Sequence, residues 1–330
     1  MLNQIDILEN FILSNYPDVL ELLLRDNTTG QNIIWATNSY IDFGNNFKSD
    51  KQITQESITG KYEGIIMPRV KKNKDLQKSR AKDMAEIFTP SWVCNKQNNL
   101  VDNAWFENED IFNTETEKSW ETNKGKIVFT KGKKWQDYIK DTRLEITCGE
   151  APYLTSRYDT TTGKFIPVKN RIGLLDRKLR VINENVEESR GWLRFAQTAY
   201  KNIYGFEWQG DNLLLAREAL LYTFIDNYRL KFGKEPLLKS IQTIAKIISW
   251  NVWQMDGLKG VIPSSCEIKQ STEEDIFGVV KKINTQCEGC KKKDIHTHNG
   301  IYSSIKDWDY KDTKTGKKGK IIKFVDLLKK

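Results

Sequence analysis

The sequence predicts an α/β protein, because short apolar segments alternate with segments of helical periodicity. Strand–helix alternation of this kind implies a parallel sheet with helices on its faces. The chain has 330 residues, which is enough for one large α/β domain with appendages or for two domains. The predicted strands are 143–147, 203–207 and a third one contained within 247–256. The predicted helices that accompany them are 186–200, 211–231 and 237–248.

The composition excludes several classes of protein. No apolar run reaches 18 residues, so a membrane span is not expected. The first ten residues are acidic and amphipathic, unlike a signal peptide. The five cysteines are an odd number in a long chain, which argues against a disulfide framework and favours the cytoplasm.

Two basic segments carry most of the positive charge. The net charge is +8, residues 291–330 have a net charge of +7, and residues 68–82 have a net charge of +6. Such segments on a slightly acidic body are typical of contacts with DNA phosphates. A solubilising tail is the alternative for the lysine-rich segment.

The chain divides into three predicted regions. Residues 1–83 form an N-terminal extension with a helix at 5–25, a short strand at 32–36 and the first basic segment. Residues 84–263 form the core, in which a helix begins near Thr89 and Pro90 and the stretch 106–140 is irregular or hairpin-like. Residues 264–330 form a basic tail that contains cysteine and histidine.

Each predicted strand ends near an acidic residue, and ligands of open α/β sheets bind at these ends. After the first strand, Glu145 could meet an amine or a hydroxyl, and Gly149 and Ala151 allow a ligand to approach the backbone. An ordinary turn is the alternative. The sequence therefore indicates a first candidate site at this turn.

The other two strand ends extend the pattern. Glu207 stands where a ribose-binding carboxylate belongs, and Trp208 could pack on a purine. Asp256 could accept the exocyclic amine of adenine. The alternatives are a glutamate that faces water and an ordinary strand-to-loop turn.

Four motifs, in their order along the chain, resemble those of DNA adenine methyltransferases of restriction–modification systems. Residues 85–90 (AEIFTP) are similar to the Phe-Thr-Pro cofactor motif of that family, and residues 144–154 (LEITCGEAPYL) are similar to its Leu-Asp-Pro-Ala-Cys-Gly turn. Residues 205–207 (GFE) and 254–256 (QMD) resemble its ribose-binding and adenine-binding strand ends. Nearly the whole chain resembles the restriction endonuclease subunit M type, including FTPSWVCNKQNN, RIGLLDRKLRVI and ISWNVWQMDGLKG.

This resemblance implies a class I S-adenosylmethionine-dependent methyltransferase-like core, which is Rossmann-like, and S-adenosylmethionine as its cofactor. Glu207 would hold the ribose, Asp256 the adenine, and the turn from Glu145 to Tyr153 the methionine part. DNA and a restriction or specificity subunit are the implied partners. The cofactor residues implied are Phe88, Thr89, Pro90, Glu145, Cys148, Gly149, Ala151, Tyr153, Glu207, Trp208 and Asp256.

The chain departs from the family in three ways. Glu145 replaces the usual Asp, and Ala151 replaces the second Gly. None of the seven prolines adjoins another, so the Asn/Asp-Pro-Pro-Tyr motif that holds a flipped adenine is absent from this sequence. Two functions therefore stay open: a methyltransferase subunit completed by an unusual loop or a partner, and a catalytically silent, cofactor-binding, DNA-associated subunit or regulator.

The tail contains a candidate zinc site. Cys287 and Cys290 form a Cys-x-x-Cys pair, and Cys266 and His298 complete a four-ligand set, with His296 as the substitute for His298. A metal would supply the folding energy that a tail with few apolar residues lacks. The alternative is a set of free surface thiols. We also expect a pair of lysine-rich strands around Trp308 and Phe324.

A nuclease is a weaker alternative. Asp256, Glu267 and Lys269 have the Asp…Glu-x-Lys spacing of a common metal-dependent nuclease core. Chance matches to this loose pattern are frequent in a chain with 29% charged residues. Because an HNH nuclease would need a further histidine downstream, we favour the cofactor-binding interpretation.

Overall fold

The structure is a computed structural model that describes residues 8–84, 86–130, 132–274, 280–316 and 318–328. Its N-terminal part is mostly short helices joined by turns. Pro17 and Asp18 separate the first two helices, with Asp18 in the left-handed region at φ 65°. The helices are α1 (Glu9–Asn15), α2 (Val19–Leu24), α3 (Gln55–Ile58) and α4 (Lys74–Met84), and short 3-10 helices occupy Ile41–Phe43, Asn45–Phe47, Gly60–Tyr62 and Arg69–Lys71.

A long helix and a β-hairpin follow. Helix α5 (Ser91–Phe106) begins directly after Pro90, as the Thr-Pro sequence predicts. Strands β1 (Asn113–Thr116) and β2 (Ser119–Thr122) pair antiparallel, which confirms the hairpin expected in this stretch. Helix α6 (Trp135–Lys140) then leads to the central sheet.

The central sheet has three parallel strands in the order β3 (Arg143–Glu145), β4 (Ile203–Glu207) and β5 (Val252–Gln254). Helices α7 (Leu174–Asn185) and α8 (Ser189–Lys201) connect β3 to β4, and a 3-10 helix occupies Val168–Asn170. Helices α9 (Gly210–Phe232) and α10 (Leu238–Asn251) connect β4 to β5. The mixed α/β class is therefore confirmed, whereas the class I methyltransferase-like core stays a prediction.

The two edges of this sheet differ. At β5, Val252 C=O accepts a hydrogen bond from Arg217 Nε (2.8 Å), and the Gln254 carboxamide bonds both Ile34 N–H (2.9 Å) and Ile34 C=O (2.8 Å), which fastens the N-terminal part to this strand. Beside β3, no strand of the described residues pairs with the outer edge, and Leu144 and Ile146 are exposed.

Helix α9 lies at the centre of the molecule and is buried along most of its length. Its apolar side chains belong to one hydrophobic cluster that also contains Ile12, Leu24 and Trp35 from the N-terminal part and Trp192 from α8. Residues of the predicted N-terminal extension and of the predicted core therefore share this cluster. Among the described residues, no helix has the length and apolar character needed to cross a lipid bilayer.

The tail consists of two strand pairs and a short helix. Strands β6 (Lys269–Glu274) and β7 (Val280–Thr285) pair antiparallel, as do β8 (Ser304–Lys311) and β9 (Lys318–Lys323). Helix α11 (Glu288–Lys292) lies between the pairs, and a 3-10 helix (Phe324–Leu327) follows β9. Phe324 packs on Phe206 and Trp253, with ring centroids 5.8 and 5.4 Å apart. This confirms the lysine-rich strand pair and its contact with the core.

Several predicted elements were wrong in detail. The N-terminal helix at 5–25 is two helices, and its first residues lie outside the described ones. The strand at 32–36 is replaced by two isolated bridges, of Asn32 with Arg25 and of Ile34 with Gln52, and the Gln254 side chain takes the hydrogen bonds of Ile34 itself. The third strand does lie within 247–256, at Val252–Gln254, because α10 continues to Asn251. The predicted helix at 186–200 begins instead at Ser189.

Candidate functional site

The carboxyl ends of β3, β4 and β5 open on a cavity of about 1070 Å³. This size is typical of small-molecule sites. Of the cofactor residues expected from the sequence, Pro90 and Ala151 lie outside its lining. The expected residues that line the cavity are Phe88, Thr89, Glu145, Cys148, Gly149, Tyr153, Glu207, Trp208 and Asp256.

Glu207 ends β4 and joins two parts of the cavity wall. Its carboxylate accepts hydrogen bonds from Gly149 N–H (2.8 Å), in the turn after β3, and from Gln209 N–H (3.1 Å). Burial raises the pKa of the Glu207 carboxyl, although these N–H groups oppose the shift. A carboxylate held in this way is a ready acceptor for hydroxyl or amine groups of a ligand.

Glu145 ends β3 and faces the same turn. Its two carboxylate oxygens accept hydrogen bonds from Tyr153 N–H (3.4 Å) and Leu154 N–H (3.1 Å). Burial raises its pKa well above the usual range, and the charge of Glu207 adds to the shift. Glu145 therefore holds the turn in shape as well as lining the cavity.

The turn after β3 has an unusual backbone. Thr147, Gly149 and Ala151 all lie in the left-handed region, at φ 47°, 53° and 59°. Left-handed residues other than glycine are strained, and such strain gathers at functional sites. A Cβ at Gly149 would stand 3.7 Å from the Phe88 ring, so this ring lies directly against the glycine.

Asp256 follows β5 and forms the third acidic position. One of its oxygens accepts hydrogen bonds from Leu258 N–H (3.0 Å) and Lys259 N–H (3.2 Å), and the other lies 3.4 Å from Lys259 Nζ. This is the strand-to-loop turn considered from the sequence. Asp256 nevertheless lines the cavity. Among these contacts, one carboxylate oxygen accepts both N–H groups, and the other contacts only the side chain of Lys259.

The sequence reasoning missed several polar residues of the cavity wall. Asn98 donates hydrogen bonds to Tyr153 C=O (2.9 Å) and Ile172 C=O (3.0 Å), and so fastens α5 to the turn. The buried Oε1 atom of Gln209 has no hydrogen-bond partner among the described residues. The signal that could have revealed Asn98 is a set of polar residues at helical spacing on the buried face of α5. They are Asn95, Asn98, Asn99 and Asp102.

A buried ion-pair network supports one side of the cavity. Arg80 pairs with Glu86 (2.5 Å) and with Asp211 (2.8 Å), and Lys72 lies 3.3 Å from Asp211. Burial alone would raise the pKa of Asp211, but Lys72 and Arg80 hold it well below its usual value. These two cations of the first basic segment therefore point inward, contrary to the expectation that the segment as a whole contacts phosphate.

The insertion between the first two predicted strands also turns its charged residues inward. Arg171 pairs with Asp226 (2.7 Å), and Arg177 pairs with Asp102 (2.6 Å). Neither Arg171 nor Arg177 lines the cavity, whereas Leu174 does. The arginines therefore stabilise the packing of α7 rather than a ligand.

The four predicted metal ligands of the tail come together. The ligand atoms of Cys266, Cys287, Cys290 and His298 all lie within 4.8 Å of one another. The three sulfur atoms lie 3.5, 3.5 and 3.6 Å from Nδ1 of His298. Zn–S and Zn–N bonds of about 2.3 and 2.0–2.1 Å in a tetrahedron place sulfur and nitrogen about 3.6 Å apart. The cluster is compatible with a structural zinc ion, and His296 lies outside it.

The backbone next to the Cys₃His cluster packs closely against the ligand residues. A Cβ at Gly289 would stand 2.6 Å from His298 N and 2.8 Å from its Nδ1, so only glycine fits there. Asn299 N–H donates to the Cys287 sulfur (3.2 Å). Burial would raise the pKa of the Cys287 thiol, but hydrogen bonds from Asn299 and Cys290 N–H outweigh it and lower the pKa to about 6. Such thiolate character is what a zinc ligand needs.

The nuclease pattern lies only partly within the described residues. Asp256 and Glu267 both line a smaller cavity of about 310 Å³ beside the cysteines, whereas the side chain of Lys269 lies outside the described ones. Among the described residues, the Cys₃His cluster is the one group of potential metal ligands found.

Several lysines of the tail lie on the β8–β9 hairpin, next to Lys201 of α8. Lys201 and Lys306 stand over the Trp308 ring, 5.3 and 4.3 Å from its centroid. Lys311 and Lys318 line a small cleft beside the same ring. The hairpin therefore concentrates positive charge around an aromatic side chain.

Comparisons of this chain with protein-family models, curated proteins and solved structures gave no match.

Proposed function

We propose that this chain is an S-adenosylmethionine-binding subunit that associates with DNA and has no complete methylation motif of its own. The observation that carries the proposal is the convergence of Glu145, Glu207 and Asp256 around one cavity at the carboxyl ends of three parallel strands. In open α/β sheets this is where nucleotide-like ligands bind.

The ribose would bind to Glu207. A carboxylate has about four lone-pair sites, and two vicinal hydroxyls suit it well. The N–H groups of Gly149 and Gln209 hold the Glu207 carboxylate in position and leave part of its capacity free. The unpartnered Oε1 of Gln209 offers a further acceptor beside it.

The methionine part would lie along the turn that begins at Glu145. Gly149 and Phe88 both line the cavity there, and the Phe88 ring packs on the face of Gly149 where a side chain would stand. The adenine would meet Asp256, whose lysine-paired oxygen has capacity for an amine, and Trp208, which is partly exposed at the cavity.

The chain lacks the motif by which adenine methyltransferases hold and activate a base. No Pro-Pro-Tyr sequence occurs in the chain, so the acceptor that a flipped adenine needs is absent from it. This favours the catalytically silent, cofactor-binding function. The resemblance to restriction–modification methyltransferases favours the alternative, in which a partner completes an adenine methyltransferase.

DNA would contact the β8–β9 hairpin, and two cations of the first basic segment are not available to it. Lys311, Lys318 and Lys320 are exposed there, whereas Lys72 and Arg80 are buried. A structural zinc ion in the Cys₃His cluster would hold this region against the core. A closed four-ligand site has no open position for water, so the ion would not be catalytic.

Calorimetry with S-adenosylmethionine and S-adenosylhomocysteine tests cofactor binding. The protein must first be freed of bound ligand, and Glu207→Gln with Glu187→Gln as the exposed control identifies the site. We expect heat that depends on Glu207 but not on Glu187. Absence of heat at millimolar ligand would contradict the proposal.

Transfer of labelled methyl groups to DNA separates the two functions. The chain is assayed alone and together with the proteins encoded beside it. Methylation by the purified chain alone would refute the silent function, whereas methylation only with a partner would establish the completed enzyme.

A further inference from the structure

Asp256 lies in the wall between two cavities. It lines the large cavity at the strand ends and also the smaller one, which is bordered by Cys266, Cys287 and Cys290. The proposed ligand site and the metal cluster therefore share a residue.

Main-chain hydrogen bonds connect the Asp256 loop to the segment that follows the metal cluster. Asp256 N–H donates to Val261 C=O (2.8 Å), and Val261 in turn forms a β-bridge with Tyr302. Ile262 N–H donates to Ile301 C=O (2.8 Å). The position of Asp256 is thus set by the segment 301–302.

Two side chains connect that segment to the ligands. The Tyr302 hydroxyl accepts a hydrogen bond from His298 N–H (2.9 Å) and donates one to Ile295 C=O (3.0 Å). Ser265, which precedes Cys266, accepts from Ile301 N–H (3.0 Å) and donates to Ile262 C=O (2.7 Å). Both contacts reach a residue at or next to a metal ligand.

We propose that metal bound to the Cys₃His cluster positions Asp256 for the ligand, so that metal affinity and ligand affinity are coupled. The inference rests on the proposed function, and it gives the metal a role beyond holding the tail. Coupling between two sites is reciprocal: if metal strengthens ligand binding, ligand strengthens metal binding by the same factor. Typical coupling corresponds to roughly 5- to 150-fold.

The test measures S-adenosylhomocysteine affinity by calorimetry for the full chain, before and after zinc is removed with a chelator. We expect removal of zinc to weaken binding by roughly 5- to 150-fold. Equal affinity of the two forms overturns this inference alone. If neither form binds the ligand, the proposed function fails and this inference fails with it.

Two variants show whether the metal acts through Asp256. In Asp256→Asn, removing zinc should hardly change the affinity for the ligand. In Glu207→Gln, removing zinc should still weaken binding, because the free-energy effects of independent sites add, whereas those of coupled sites do not. Full persistence of the zinc effect in Asp256→Asn overturns the inference.

A third variant keeps all four ligands. Tyr302→Phe removes the hydroxyl between His298 and Ile295, and Tyr310→Phe on β8 is its matched control. We expect Tyr302→Phe to retain zinc but to show a smaller effect of zinc on ligand affinity. If zinc changes ligand affinity in Tyr302→Phe as much as in the native protein, this tyrosine has no part in the coupling. The proposed connection through its hydroxyl is then wrong.

Discussion

The carboxylate of Glu207 accepts a hydrogen bond of 2.8 Å from the backbone N–H of Gly149, and this bond joins the ends of two neighbouring strands. A ribose at this position would bind to an acceptor that is already held in place. Preorganisation of this kind lowers the entropic cost of binding.

Replacing Glu207 with Gln should therefore weaken S-adenosylhomocysteine binding strongly. A hydrogen bond to a charged group contributes about 1.5–3 kcal/mol, so we expect a loss of roughly tenfold to hundredfold in affinity. Calorimetry measures this loss, and thermal unfolding checks that the variant is folded. An unchanged affinity would place the ribose elsewhere.

The affinity should also depend on pH. Burial raises the pKa of Glu207, so its protonated form persists above the ordinary glutamate pKa of about 4.3. Only the ionised form accepts both hydroxyls, and affinity should therefore rise as the pH rises through the raised pKa. Titrations over a pH series should show this rise in the native protein and a flatter profile in Glu207→Gln.

Replacing Gly289 with Ala should abolish metal binding although all four ligands remain. A Cβ there would stand 2.6 Å from His298 N, so the histidine backbone has to move. Gly125→Ala is the control, because nothing lies within 4 Å of its Cβ position. Elemental analysis should find zinc in the control and none in Gly289→Ala.

Replacing Arg80 with Ala should destabilise the fold. Removing one partner of a buried ion pair costs about 3–5 kcal/mol, and Arg80 pairs with both Glu86 and Asp211. Lys78→Ala, on the exposed face of the same helix, should change stability by less than about 0.5 kcal/mol. Urea unfolding of both variants measures the difference.

The decrease of folding stability at low pH should depend on the same ion-pair network. Burial opposes ionisation of Asp211, but Lys72 and Arg80 depress its pKa below that of the unfolded chain. Its contribution is therefore present above the ordinary aspartate pKa of about 3.9, and is lost as the pH falls through the depressed value. Arg80→Ala should show a weaker dependence on acid than the native protein.

Changing lysines of the hairpin should alter the salt dependence of DNA binding. Each phosphate contact contributes roughly 0.9 to the slope of log affinity against log salt. Lys318→Gln and Lys320→Gln should each reduce the slope by about that amount, whereas Lys48→Gln, in the N-terminal part, should not. Binding titrations at several salt concentrations give the slopes; an unchanged slope in both hairpin variants would place DNA elsewhere.

The strand ends and the metal ligands were predictable because their signals are local. A short apolar run that ends in an acid predicts β4 and Glu207, and the Cys-x-x-Cys spacing predicts Cys287 and Cys290. The fourth ligand could not be fixed from spacing alone, since His296 and His298 are two residues apart; the backbone at Gly289 selects His298.

The inward direction of charged residues was not predictable from the sequence. Lys72 and Arg80 belong to a basic run that reads as a solvent-exposed surface, yet both are buried against Asp211, which lies more than a hundred residues later. The segment around Ile34 gave a similar error, because a side-chain amide rather than a neighbouring strand completes its hydrogen bonds.

The outer edge of β5 gives the central sheet a single direction of growth. Side chains already bond its main chain, since Val252 C=O accepts from Arg217 Nε (2.8 Å) and Gln254 C=O accepts from the Ser303 hydroxyl (3.3 Å). On the opposite side, the described residues place no strand next to Leu144. A chain that lengthens the sheet without displacing these side chains therefore has to join it beside β3, next to the cavity.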